Sequence, residues 1–258
     1  MCGIHASIST EGFQRPSKEL QILLCKRGPD HLGNTQAEVK SDEASYFISF
    51  TSTVLALRGG SVTSQPFIDA ETGSCLCWNG EAWKVGSETV TGNDGQLVFD
   101  ALLRAISSSP DTAASRAAVL AVMDSIAGPF AFVLLDGIHA QVYFSRDRLG
   151  RRSLLYNTTP TYIEFSSTSD PNHGDWKEVE TDGIYALSCH QDEFREVLVP
   201  DDLVMSSMIL PIQLYDWEFN SNSSVSELDD WREFQENCAD TSLVITIPRS
   251  LQPKSANC

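Results

Sequence analysis

The chemistry legible in this sequence begins at its second residue, Cys2. Small second residues permit removal of an initiator methionine, and Cys2 would then carry a thiol and a free α-amine together. An α-amine with a pKa of about 7.7–8.0 can take the proton of a thiol whose free pKa is about 8.5. Nucleophile and base would thus be delivered on one residue, the N-terminal-amine variant of the nucleophile–base pair. Position alone is a weak signal, and it gains weight only if the chain supplies matching parts. The other reactive residue types offer less. The five histidines include no pair at metal-ligating spacing, so His5 reads as a strand side chain. The seven cysteines are odd in number and scattered. Alternation in a strand would put Cys75 and Cys77 on one face, as a buried pair of small apolar residues rather than a metal site.

The elements that must position Cys2 follow from hydrophobic periodicity. Residues 3–10 alternate well enough for a strand carrying Cys2 at its start. Residues 16–25 place Leu20, Leu23 and Leu24 at helical spacing, opening near Pro16-Ser17 and stopping before Arg27-Gly28-Pro29-Asp30. Residues 45–57 are rich in β-branched and aromatic types and predict one long or two short strands. Residues 74–78 predict a strand that ends at a turn, Asn79-Gly80. Helices are expected over 94–107, capped by Asn93 or Asp94, and over 112–126. Residues 129–135 and 140–145 predict a hairpin across Asp136-Gly137, and 151–156 with 162–166 a second. Strands, two helices, then more strands indicate an α+β fold. Beyond Pro200 the sequence turns acidic, with one helix expected over 226–236 and a proline-bearing tail.

Bulk properties narrow the class. The chain has 258 residues, 41% of them hydrophobic, a formal net charge of −17 and a pI near 4.5. Such acidity argues against a phosphate-backbone partner, so no nucleic acid is expected. No apolar run approaches the ~20 residues of a membrane span, and no basic-then-apolar segment opens the sequence, so the expectation is a cytoplasmic protein without a membrane partner.

The motifs MCGI (1–4), RGPD (27–30), QPF (65–67), WNGE (78–81), GNDGQ (92–96), GPFAFVLLD (128–136) and SRDRLGRRSLLY (145–156) occur in one order. In order and spacing the chain resembles the class II glutamine amidotransferases, whose glutaminase domain uses an N-terminal nucleophile. The resemblance covers roughly residues 1–190 and is nearest to the asparagine-synthetase-domain-containing proteins of eukaryotes. It implies a four-layer αββα N-terminal-nucleophile hydrolase sandwich over 1–190, followed over 191–258 by an acidic extension and a linker toward a synthetase domain absent from these residues. It also implies hydrolysis of L-glutamine to glutamate and ammonia through a thioester on Cys2, as in asparagine biosynthesis, with no cofactor and no metal.

Residue by residue, the resemblance gives Asn79 and Gly80 as oxyanion donors and Asp94 as the anion for the substrate ammonium. Glu81 is a further candidate at that ammonium, and Arg58 is the candidate clamp for the α-carboxylate. These have plainer readings too: Asn79-Gly80 as a turn, Asp94 as a helix cap, and Glu81 as a solvent-facing or structural residue. At the clamp the sequence departs from the pattern, because an ungapped alignment puts Leu55 at the arginine position and Arg58 fits only with a shift. The RGPD and SRDRLGRR segments are expected to be structural or interdomain, with Asp147 pairing an arginine to pin its hairpin. No Ser-Gly-Gly-x-Asp-Ser phosphate loop or Walker-type glycine loop occurs in these residues, so an acceptor for the ammonia is expected in a synthetase domain or partner. Two other readings stay open: a catalytically weak or inactive module serving regulation or assembly, and an N-terminal-nucleophile hydrolase of another amide.

Overall fold

In the run Phe130-Ala-Phe-Val-Leu-Leu135, alternate residues bury in two different cores, and this one strand shows how the molecule is layered. The computed structural model describes residues 1–40, 45–58, 60–189 and 212–216. The chain divides into two compact units, Met1–Trp217 and Glu218–Cys258, and all described residues lie in the first. The helix expected over 226–236 and the tail lie outside the described residues.

The elements run β1 (Gly3–Ser9), α1 (Lys18–Arg27), β2 (His31–Lys40), β3 (Ser45–Val54), β4 (Phe67–Ile68), β5 (Cys75–Gly80), β6 (Lys84–Val85) and β7 (Glu88–Thr89). Then come α2 (Asp94–Ser108), α3 (Thr112–Asp124), β8 (Ile126–Ala127), β9 (Phe130–Asp136) and β10 (Gln141–Arg146). The last are β11 (Leu155–Thr158), β12 (Tyr162–Ser166), β13 (Lys177–Glu178), β14 (Gly183–Ser188) and β15 (Ile212–Asp216). One sheet is ordered β13-β11-β12-β1-β3-β2, a second β15-β14-β10-β9-β5-β4, and a small third β7-β6-β8.

The strand period of two sorts the apolar residues of the second sheet. Ala131, Val133 and Leu135 of β9, Cys75 and Cys77 of β5, and Val142 and Phe144 of β10 join Ile4, Ala6, Ile8, Ile48 and Phe50 of the first sheet in one core. Phe130, Phe132 and Leu134, with Leu76, Trp78 and Tyr143, turn the other way and pack with Val98, Phe99, Leu102 and Ile106 of α2 and Val119 and Met123 of α3. Strands covered on both faces need not alternate polar with apolar, which explains these continuous hydrophobic runs. Each fully buried Leu, Val or Phe contributes about 1.5–3 kcal/mol of transfer free energy. The Cys75–Cys77 pair lies in the first core, as its spacing predicts. Among the described residues no helix is long and apolar enough to cross a membrane.

The helix signals read from sequence are realised in the caps. The Ser17 hydroxyl accepts the Leu20 N–H at the start of α1, Asn93 caps α2, and Asp111 caps α3. Helix α1 runs through Arg27, past the expected stop, and Gly28-Pro29 ends it. Asn79-Gly80 is not a turn: β5 continues through both residues, which pair with Ala131 and Phe130 of β9. Strand β2 is absent from the sequence reading because its polar residues alternate half-buried with exposed along a sheet edge. Strand β11 starts later than expected, since residues 147–154 form a loop built on two side chains.

In that loop Asp147 takes four hydrogen bonds, from the backbone N–H groups of Phe130 (3.1 Å), Leu149 (3.2 Å) and Arg151 (3.0 Å) and from Arg151 Nε (2.8 Å). Arg146 donates from Nε to the Arg152 carbonyl (2.8 Å) and from its other nitrogens to Gly150 O (2.7 Å) and Val179 O (3.2 Å). The pairing of Asp147 with an arginine is therefore the one expected, and the pinned loop carries Arg152 toward β5. Because Asp147 is buried and serves four donors, Asp147→Ala should lower the unfolding free energy by about 2–4 kcal/mol, measured by urea denaturation. A loss below about 0.5 kcal/mol would mean that the loop holds without it.

Candidate active site

Cys2 sits immediately before β1, and its place is set by what surrounds Gly3 and Ile4. The Gly3 N–H donates to Thr53 Oγ1 (3.1 Å), and the Thr53 hydroxyl donates to Leu24 O (2.6 Å). The Ile4 N–H donates to Ser167 Oγ (2.7 Å). A Cβ on Gly3 would fall 2.4 Å from Thr53 Oγ1 and 2.9 Å from Leu24 O, so only glycine admits this approach. Arg27 closes the other side, donating from Nε to Cys2 O (3.4 Å).

The thiol and the amine shift in opposite directions. Burial pushes the Cys2 thiol up, against a Leu55 backbone hydrogen bond, the N-terminal charge and Arg152; Asp94 adds to the rise. Burial lowers the Met1 amine, helped by Arg27 and Arg152 and opposed by the Cys2 and Glu81 charges. The rise at Cys2 disfavours a resting thiolate, and the amine lowered here is that of Met1, one residue before the amine that processing would expose on Cys2.

One cleft is lined by Met1, Cys2, Leu55, Arg58, Gln65, Trp78, Asn79, Gly80, Glu81, Asp94 and Arg152. All six residues singled out from sequence are therefore brought together. Asn79 is 1% exposed, and its Nδ2 has no hydrogen-bond partner among the described residues. An amide N–H buried without a partner costs about 1–3 kcal/mol, so its presence at the cleft wall calls for an acceptor from outside the chain. Gly80 is required by its neighbour, since a Cβ there would meet the Trp78 indole at 2.3 Å. The Glu81 N–H donates across to Pro129 O (2.9 Å), and ladder alternation turns the Gly80 N–H to the edge away from β9. On that same edge Trp78 N–H donates to Gln65 Oε1 (3.0 Å), which gives the Gln-Pro-Phe segment its task.

The cap reading of Asp94 gives way to a division of labour. Asn93 Oδ1 accepts the Gln96 N–H (3.0 Å) and caps α2, while Asp94 turns inward and is 7% exposed. Its Oδ2 accepts Trp78 Nε1–H and the Ala82 N–H, both at 2.9 Å, and the start of α2 adds the favourable end of the helix dipole. Arg58 is half-buried and donates from Nη1 to Ala82 O (3.1 Å), so it stands on the same wall as Asp94. The chain leading to it is held by Asp30, whose N–H donates to Val54 O (3.0 Å) and whose Oδ2 accepts the Ala56 N–H (2.8 Å). The Arg-Gly-Pro-Asp segment thus builds the cleft wall. Leu55 contributes its backbone, not a side-chain charge.

Glu81 does not stand free in the cleft: Arg152 Nη2 donates to its Oε2 at 2.9 Å. Arg152 also approaches Met1, with Nη1 3.5 Å from Sδ. Sequence reasoning assigned Arg152 to a structural loop, and no local signal distinguishes it from Arg151. Only the fold brings it to residues 1, 2 and 81. Among the described residues no cluster of His, Cys, Asp and Glu could hold a metal ion. His5 faces Glu164, Nε2 to Oε2 at 3.1 Å.

Comparison with known proteins gives a consistent picture. The profile of the glutamine amidotransferase domain family matches residues 1–184. The human protein named asparagine synthetase domain-containing protein 1 is 28% identical over 235 residues, which are 88% of this chain and 32% of that protein. The chicken protein of the same name is 33% identical over 197 residues, 72% of this chain and 29% of that protein. The chain therefore spans about a third of the length of these relatives. Among solved structures, the allosteric regulatory enzyme of purine biosynthesis superposes with a TM-score of 0.55 at 14% identity, covering 84% of this chain and 49% of that one. The glutamine phosphoribosylpyrophosphate amidotransferase of B. subtilis gives a TM-score of 0.52 at 14% identity, over 84% and 50%. At that identity these two speak for the fold alone.

Two substitutions separate the roles of neighbouring residues. Asp94→Ala strips the acceptor from two buried donors and should cost about 2–4 kcal/mol of stability. Asn79→Ala removes an amide whose nitrogen has no partner among the described residues and should stay within about 1 kcal/mol of the parent. Urea midpoints at constant slope check both, and a large loss for Asn79→Ala would mean that its amide is engaged in the resting protein.

Proposed function

The chain belongs to the glutamine amidotransferase domain family, and from that premise we propose that it hydrolyses L-glutamine to glutamate and ammonia with Cys2, freed of Met1, as nucleophile. The observation that carries this reading is the convergence in one cleft of Cys2, the unpartnered Asn79 amide, Asp94 and Arg58. The packing of α1, two sheets and the α2–α3 pair supports the four-layer αββα arrangement of N-terminal-nucleophile hydrolases.

Each side chain has one step. Asp94 receives the substrate ammonium and Arg58 the α-carboxylate, which aims the side-chain carboxamide at Cys2. Sγ attacks the amide carbon while its proton passes to the α-amine of the same residue. The carbonyl oxygen becomes an oxyanion and accepts hydrogen bonds from Asn79 Nδ2–H and the Gly80 N–H. Collapse expels the amide nitrogen, which takes the proton back from the α-ammonium and leaves as ammonia. Water, deprotonated by the same amine, then cleaves the γ-glutamyl thioester to glutamate and restores the thiol. The relatives' name and their threefold greater length support a further proposal, that an asparagine-synthetase-type domain or partner consumes the ammonia.

Protein with Met1 removed should release ammonia from L-glutamine, and Cys2→Ala should release none. Asn79→Ala should lower kcat about 10²–10³-fold, the usual loss for one oxyanion donor. Arg58→Ala should act mainly on KM. Equal ammonia release by the parent and Cys2→Ala would leave the module without this chemistry, and turnover with unchanged KM in Arg58→Ala would point to a different amide.

A further inference from the structure

Of all the charged groups around the N-terminus, the ion pair between Glu81 and Arg152 has no part in the steps above. Its geometry is specific. Arg152 Nη2 holds Glu81 Oε2 at 2.9 Å, with the Arg152 side chain 16% and the Glu81 side chain 38% exposed. The other terminal nitrogen of Arg152 lies 3.5 Å from Met1 Sδ. The Arg152 backbone is itself fixed, because Arg146 Nε donates to its carbonyl at 2.8 Å. Both partners act electrostatically on the Met1 amine, Glu81 favouring its protonated form and Arg152 disfavouring it, and both line the same cleft as Cys2, whose own amine processing would expose.

The groups facing this terminus come from every neighbouring element. Arg27 projects from the last turn of α1 and reaches Cys2 O. Asp94, at the start of α2, and Arg58, beyond β3, line the cleft, and the Cys2 thiol is adjacent. Asp94 Oδ2 is engaged by Trp78 and Ala82. Of the two carboxylates lining the cleft, Glu81 is the one held by an arginine that itself reaches the first residue.

We propose that Arg152 is a positioning residue for the catalytic base: by holding the Glu81 carboxylate, it keeps Glu81 from pairing with the α-ammonium of processed Cys2. The amine then stays in the free form that accepts the thiol proton. This inference rests on the reading of Cys2 as an N-terminal nucleophile, and it adds the device that sets the protonation of its base. No bond other than hydrogen bonds forms or breaks at Arg152.

The arrangement dictates signs that a purely structural loop contact would not produce. With Arg152→Gln, Glu81 is released toward the ammonium and the amine binds its proton more tightly. With Glu81→Gln, Arg152 alone faces the amine and the proton is held less tightly. With both replaced, the two fields are removed together. In Met1-free protein the amine can be titrated without glutamine, by the pH dependence of the 15N chemical shift of the Cys2 amine in protein labelled at cysteine.

The expected midpoint rises by about half a pH unit or more in Arg152→Gln, falls in Glu81→Gln, and returns to the parent value in the double variant. The acidic limb of kcat/KM for glutamine should move in the same three directions. Coinciding midpoints across the four proteins would overturn the inference, as would an Arg152→Gln effect confined to KM, which would make Arg152 a substrate ligand. The opposite sign required of Glu81→Gln, at a partly exposed site, keeps the test decisive if Arg152→Gln folds poorly. Glutamine turnover without the midpoint shifts would sink this inference alone. The shifts without turnover would sustain it and sink the proposed activity.

Discussion

Three backbones meet at Thr53, and that meeting fixes Cys2. The end of α1, the start of β1 and the end of β3 approach closely enough that Thr53 Oγ1 both accepts the Gly3 N–H and donates to Leu24 O. Two glycines make this possible. A Cβ on Gly3 would strike Thr53 Oγ1, and one on Gly28 would fall 2.4 Å from the Thr53 backbone. From this point each element delivers one component: α1 delivers Arg27, β3 and its extension deliver Leu55 and Arg58, and β1 delivers Cys2. Precision at Cys2 is thus a property of the packed sheet and not of a terminal segment, which would otherwise be free to fray.

The motifs legible in the sequence are those whose residue types are constrained by chemistry or by contact distance. Met-Cys-Gly, Asn-Gly-Glu and Asn-Asp-Gly could be read because Cys2, Asn79 and Asp94 have few chemical substitutes, and Gly3 and Gly80 none that fit. The paired cores were half legible, since the continuous apolar run of β9 signals burial but not which core receives each residue. Strand β2 escaped because an edge strand has one solvated side and no hydrophobic rhythm to reveal it. The Asn79-Gly80 dipeptide carries a strong turn signal, yet pairing with β9 and the Trp78 ring lying over Gly80 override it. Arg152 was illegible for a different reason. Its partner is separated from it in sequence by five strands, β6 to β10, and two helices, and nothing local marks a residue whose meaning is a long-range charge contact.

Alternation along β5 also explains why one short strand serves both core and cleft. Leu76 and Trp78 pack toward α2, Cys77 packs between the sheets, and the strand then runs out at Asn79-Gly80, where the cleft opens. Trp78 ties the two regions together. Its ring stacks on Phe130 in the helix-side core, its Nε1–H donates to Asp94, and its backbone N–H donates to Gln65. Orientation of the cleft's anion is therefore coupled to core packing, and the polar wall inherits the rigidity of the apolar layer behind it.

Charge in the cleft runs against charge in the chain. The sequence as a whole carries −17, yet Arg27, Arg58 and Arg152 surround Cys2, against the two carboxylates Glu81 and Asp94. Donors are left in excess. Asn79 Nδ2 and Arg27 Nη2 are both buried without a partner among the described residues, while the Asp94 carboxylate has two donors and Glu81 has one. A resting protein gains nothing from buried donors that lack acceptors, since each costs about 1–3 kcal/mol. Asn79 lines the cleft, so an acceptor arriving there from outside the chain would remove its share of that cost. In the reaction proposed above, the amide oxygen that gains negative charge as the thiol adds is that acceptor. On that proposal, stability given up at Asn79 is recovered where it lowers a barrier, in the charged intermediate.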